Sequence, residues 1–275
     1  MMELVSGQTI SKMENAQKEE FIHFFARRLA GEKGEQIANA IEFSRQNSWS
    51  FVARTLLFDQ YIMQHVEQGF DMIVNLAAGL DARAYRLKLP PRLKWIDVDL
   101  PAMTDYKNEI LKSEKPKCDY LAIQLDLADR KARLGLFQQL NNECKKALVI
   151  TEGLMMYLTA EQAAELSVDL ANQNHFHRWV FDLQSPALLE LAVEKMGSAL
   201  IGSGAKFQFA PEEGEEFFEK YGWKHLESKS KLKTANVLNR LSGELKAYTD
   251  MPEPPGPKRS FPWSGVCLFK NINAV

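Results

Sequence analysis

The chain has 275 residues, of which 45% are hydrophobic and 25% charged, and a formal charge of −2. That length suits one large α/β domain with added helices or a domain plus a cap, and the weak negative charge argues against an extended nucleic-acid surface. Cys118, Cys144 and Cys267 lack metal-ligand spacing and read as free thiols in a reducing cytoplasm. The amino terminus has no basic segment followed by an apolar one, and no apolar run approaches the roughly eighteen residues of a membrane span, so no signal peptide and no membrane contact are expected.

Residues 14–30 set Phe21, Ile22, Phe24, Phe25 and Leu29 at helical spacing, and 35–46 and 49–68 continue as helices, with Asn47-Ser48 as the break. Residues 72–77 read as a buried strand. Residues 82–87 begin a helix that Pro90-Pro91 stops. Strands follow at 93–98, 120–125, 148–150 and 179–181, separated by helices after Pro101, at 129–141 and at 160–173. Beyond these come helices at 186–200, 212–221 and 231–247, a mobile loop at Ser198–Gly204, a sixth strand after Gly222, a proline-rich stretch at 251–259 and a last strand at 263–270. The alternation predicts a mostly parallel, doubly wound sheet. Residues 1–70 form a helical segment, 71–185 the cofactor-binding core, and 186–275 cap helices and the last strands.

The chemistry concentrates where the first strand ends. Ile73-Val74-Asn75-Leu76-Ala77-Ala78-Gly79-Leu80-Asp81-Ala82-Arg83 runs from apolar to small residues and then to an acid. About twenty residues beyond Gly79, a second strand ends in Asp97-Val98-Asp99, the spacing at which a strand-end acid accepts hydrogen bonds from ribose hydroxyls. No G-x-G-x-x-G is present, and Asp81 with Arg83 occupies the place where a pyrophosphate needs bare amides. A ribose-bearing cofactor without phosphates fits best, and S-adenosyl-L-methionine is such a cofactor. Asp99 is the expected ribose acid. Asp97, two residues away and on the same face, is the alternate. Ala77 and Gly79 bring backbone close to the cofactor.

Three blocks in order carry a resemblance: Asn75–Arg83, Asp97–Pro101, and Thr151-Glu152-Gly153-Leu154-Met155-Met156-Tyr157-Leu158-Thr159. Across about residues 50–185 the chain resembles the leucine carboxyl methyltransferase-like family of class I S-adenosyl-L-methionine-dependent O-methyltransferases, which includes polyketide O-methyltransferases. The family pattern reads roughly N-L-G-A-G-L-D-T-R, E-V-D-L-P and x-E-G-L-L-x-Y-L. This chain departs from it with Ala77 in place of the first glycine and Ala82 in place of threonine. The resemblance implies a Rossmann-like fold with an inserted helical cap. It also implies that Arg54 grips the methionine carboxylate, that Asp126 and Leu127 meet the adenine, and that Glu152 faces the cofactor's cationic groups.

Tyr157 and Asp182, near strand ends, are candidates for the acceptor pocket. The expected partner is a small-molecule methyl acceptor, carboxylate or hydroxyl. The histidines form no ligand cluster, and no metal site or nucleophile elbow is expected. Two alternatives remain open at this stage: a nicotinamide-dependent oxidoreductase on a similar sheet, and a nucleoside-binding module without turnover.

Overall fold

The strands β1 (Met72–Leu76) and β4 (Ala147–Thr151) are buried at every position, as strands covered on both faces must be. They lie at the centre of a seven-stranded sheet in a computed structural model that describes residues 34–201, 206–241, 243–251 and 261–275. The other strands are β2 (Lys94–Asp99), β3 (Asp119–Gln124), β5 (Phe176–Gln184), β6 (Trp223–Ser230) and β7 (Ser264–Asn271). The order is β3-β2-β1-β4-β5-β7-β6. The pairs from β3 through to β5 are parallel, and β7 runs antiparallel to both β5 and β6. Strand order therefore reverses between β1 and β4, the place where an open α/β sheet leaves a crevice outside its carboxyl ends. The expected mostly parallel doubly wound sheet is the one found.

Side-chain alternation sorts the core into two layers. On one face Val74, Leu76, Ile96, Val98, Val149, Trp179 and Phe181 meet α4 (Arg130–Glu143) and α5 (Ala160–Ala171) through Leu136, Phe137, Leu140, Leu166 and Leu170. On the other, Ile73, Trp95, Leu148, Ile150, Val180 and Leu268 meet the stripe Leu57, Phe58, Tyr61 and Ile62 of α1 (Gly34–Glu67).

Several helices differ from the sequence pattern. α1 is continuous, and Asn47-Ser48 does not break it, because neither residue forbids helical dihedrals. α2 (Arg83–Arg86) is one turn only, ended by an extended Leu87 ahead of Pro90. α3 (Pro101–Leu111) starts at its proline as expected. Ser198 to Ile201 belong to α6 (Pro186–Ile201), so the loop expected there lies otherwise at 202–204, outside the described residues. Residues 214–221 form a 3₁₀ helix in place of an α-helix. The expected helix at 231–247 divides into α7 (Lys231–Val237) and α8 (Gly243–Lys246), because Asn239 takes a left-handed φ of 54°. The helix expected at 14–30 and the proline-rich stretch at 252–259 lie outside the described residues.

Candidate functional site

β1 stops because two residues just beyond it turn left-handed: Ala77 and Gly79 both have φ of 53°. Ala78 N still donates to Val98 O at 3.2 Å, which keeps the loop against β2. Asp99 ends β2. Its Oδ2 accepts from Gly79 N at 2.6 Å and its Oδ1 from Leu100 N at 2.7 Å. Each oxygen takes one bond there, which leaves acceptor capacity at the sheet's rim. Leu100, not Asp99, is the N-cap of α3.

Asp97 is part of the framework instead. Its carboxylate accepts from Asn75 Nδ2 at 2.9 Å, Trp95 Nε1 at 2.8 Å, Lys107 Nζ at 2.6 Å and Tyr120 OH at 2.9 Å, and the residue is buried. Four protein donors leave Asp97, the alternate ribose acid, little capacity for further hydrogen bonds.

Beside this pair a continuous chain of charges crosses the rim. Asp81 accepts from Arg83 N and Arg83 Nη1 at 2.8 and 2.6 Å. Burial opposes ionisation of Asp81, but Arg83 and Lys107 overcome it and hold its carboxyl below the ordinary range. Arg83 also reaches Asp59 Oδ1 on α1 at 2.7 Å and forms an ion pair with Glu152 Oε2 at 2.7 Å. Arg54 Nε donates to Glu152 Oε1 at 2.8 Å, and Arg54 Nη1 lies 3.4 Å from Asp182 Oδ2. Asp182 Oδ1 accepts from Gly153 N at 2.7 Å, while Lys231 Nζ stands 3.6 Å from its Oδ2. Burial works against the charge on Asp182, and Arg54 and Lys231 restore it, so its carboxyl also sits below the ordinary range. Burial pushes the Lys231 amine down, with Asp182 opposing and Arg54 adding to the shift. Gly153 is required here. Its φ is 71°, and a Cβ would stand 3.2 Å from Arg54 Nη1.

The structure thus brings Arg54, Glu152 and Asp182 into direct contact and sets Asp99 against the Gly79 loop. Asp126 is exposed after β3 and accepts from Ala128 N at 2.9 Å, while Asp129 caps α4. Leu127 is half-buried, its carbonyl held by Arg133 Nη1 at 2.6 Å. Tyr157 ends a 3₁₀ turn, Met155–Tyr157, is 40% exposed, and its ring meets that of Phe207 at a tilt, with centroids 5.2 Å apart. Thr159 and Gln162 cap α5 reciprocally, so Glu152 has no capping duty. Sequence reasoning missed Lys231 and the role of Arg83. Lys231 carries no local signal, since it opens a helix and its partner Asp182 lies on β5, far away in the chain. Among the described residues no group of three or more His, Cys, Asp or Glu is placed to hold a metal.

A nucleoside cofactor carrying an amino-acid end fits these residues. Asp99 offers acceptors at the ribose position, and the buried Glu152 Oε2 has an ion-pair contact without a hydrogen bond, so it can take an ammonium N–H. Sheet order, the left-handed turn and the acid ending β2 define the class: a Rossmann-like fold that holds a nucleoside cofactor across the ends of β2, β1 and β4. Residues 3–171 match the leucine carboxyl methyltransferase model, and the chain belongs to that family. Its cofactor is S-adenosyl-L-methionine.

A Frankia alni relative, assigned by name to the S-adenosyl-L-methionine-dependent methyltransferases, is 30% identical over 221 residues, covering 74% of this chain and 69% of its own length. A similarly named Mycobacterium bovis relative is 32% identical over 120 residues, covering 43% of this chain, so the match spans 37% of that relative's length. A DUF574-family protein of Streptomyces avermitilis shares the fold at a TM-score of 0.56 and 10% identity, over 90% of this chain and 95% of its own.

Proposed function

We propose that the protein transfers a methyl group from S-adenosyl-L-methionine to a carboxylate oxygen of a small organic acid, giving a methyl ester. The position of the histidines among the described residues carries this reading. His65, His175 and His177 lie by the amino-terminal ends of β1 and β5, and His225 in the first half of β6, all away from the carboxyl-terminal rim. A hydroxyl acceptor with a pKa near ten needs a base at neutral pH, and a carboxylate does not.

The cofactor supplies a methyl group on a sulfonium that departs as a neutral thioether. The chain's own residues bind and align. Asp99 accepts from the ribose hydroxyls, and Ala77 and Gly79 let backbone come close. Asp126 and Leu127 flank the adenine. Arg54 takes the carboxylate of the amino-acid end and Glu152 its ammonium. Tyr157 and Asp182 border the acceptor. Alignment of this kind can lower a barrier by about 7–11 kcal/mol in favourable cases.

The test combines the protein, methyl-labelled S-adenosyl-L-methionine and a panel of monocarboxylic acids, phenols and amines. Label is expected in products of the acids and released as methanol by mild alkali. Product label that survives alkali overturns the carboxylate reading.

A further inference from the structure

The sheet acts as a ruler across the site. Neighbouring strands are about 4.8 Å apart, so Asp99 on β2 and Asp182 on β5 are three spacings, roughly 14 Å, apart across β1 and β4. With the ribose at Asp99 and the amino-acid end at Arg54 and Glu152, the methyl group has one side left to face, toward β5 and β7. Lys231 enters from that side. It is the first residue of α7, follows β6 at its carboxyl end, and is 9% exposed. Its ammonium is 3.6 Å from the same Asp182 oxygen that Arg54 approaches from α1.

Among the described residues, ion pairs link Arg54, Arg83, Arg86 and Lys231 to Asp59, Asp81, Glu152 and Asp182, so Lys231 continues the charged chain that runs from the Arg54–Glu152 pair through Asp182.

We propose that Lys231 is the acceptor's own ligand: anchored on Asp182, its ammonium holds a carboxylate oxygen of a small monocarboxylic acid beside the cofactor's methyl group. This rests on the carboxylate reading above. A lone pair of the acid's free oxygen forms the new bond to the methyl carbon while the carbon–sulfur pair goes to sulfur. The products are a methyl ester and neutral S-adenosylhomocysteine, and no proton moves. Lys231 orients the acid and takes no part in bond making.

The experiment titrates the protein, saturated with S-adenosylhomocysteine, with acetate, hexanoate and benzoate and with their amides, by calorimetry. At least one acid should bind about tenfold more tightly than its amide, because a charge-assisted hydrogen bond distinguishes them. Lys231→Met should abolish that preference, Lys231→Arg should keep most of it, and both should bind S-adenosylhomocysteine within about twofold of the unaltered protein. Acids that bind no better than amides to the unaltered protein sink the carboxylate reading, and the proposal with it. A preference for acids that persists in Lys231→Met sinks the proposal alone. Should Lys231→Met lose S-adenosylhomocysteine as well, Lys231→Arg decides: if it restores the cofactor but not the acid, Lys231 does not hold the acceptor.

Discussion

Asp97 and Asp99 stand two positions apart on one strand and face the same way, yet their partners separate them. Four donors, including the Lys107 ammonium, close on Asp97 in the interior. Two loop amides hold Asp99 at the rim. The two substitutions should therefore fail differently. Asp99→Ala removes charged hydrogen bonds worth about 1.5–3 kcal/mol each, so affinity for S-adenosylhomocysteine should fall at least about tenfold, with a smaller loss of stability than at Asp97 because only the two loop amides are released. Asp97→Ala strands a buried ammonium and should cost roughly 3–5 kcal/mol of stability. Calorimetry and urea unfolding measure the two effects. If Asp97→Ala kept its stability but lost the cofactor, while Asp99→Ala bound normally, the assignment would be reversed. Asp99 was legible in the sequence because a strand end and a short motif mark it. The Arg54–Glu152 and Arg54–Asp182 contacts, 98 and 128 residues apart, were not legible, since local patterns say nothing about which distant rim residues meet.

Strands were easier to read than helices. β1, β2 and β4 are short, largely apolar runs bounded by turn residues, and burial on both faces leaves little alternative for them, whereas β3 is an edge strand with no buried position. Helix ends turn on single residues whose dihedrals sequence does not fix. Asn239 stops α7 by going left-handed, whereas Asn47 and Ser48 continue α1. The loop after β1 holds the most informative departure, an alanine where the family pattern has glycine. Ala77 at φ 53° carries a left-handed cost of about 1–2 kcal/mol. Glycine would relieve it but adds unfolded-state freedom worth about 0.4–1 kcal/mol. Ala77→Gly should thus stabilise the protein by about 0.5–1 kcal/mol in urea unfolding and leave cofactor affinity near its original value. A loss of stability above about 1 kcal/mol would mean that the methyl group makes packing contacts that outweigh the strain.

The molecule as a whole uses charge to fasten α1 to the sheet, and this gives its acid stability a shape. Arg54 and Asp59 on α1 reach Glu152, Asp182, Arg83 and Arg86 through ion pairs. Asp81 and Asp182 have folded values below 3.8, so each contributes stability that is present above the unfolded value and lost as pH falls through the folded one. At the other end of the sheet, His65 and His177 are pushed below 6.5, in both cases chiefly by burial. A histidine held neutral in this way stabilises the fold above pH 6.5, and that contribution fades as pH drops, because the unfolded chain takes up the proton first. The two sets predict an acid profile in two stages. Melting temperature should begin to fall below about pH 6.5, then fall again more steeply below about pH 4. Replacing His65 and His177 together with glutamine should remove the first stage and leave the second. A thermal-melt series from pH 8 to pH 3 checks this. A single decline that the double substitution leaves unchanged would show that these buried histidines do not govern stability above pH 4.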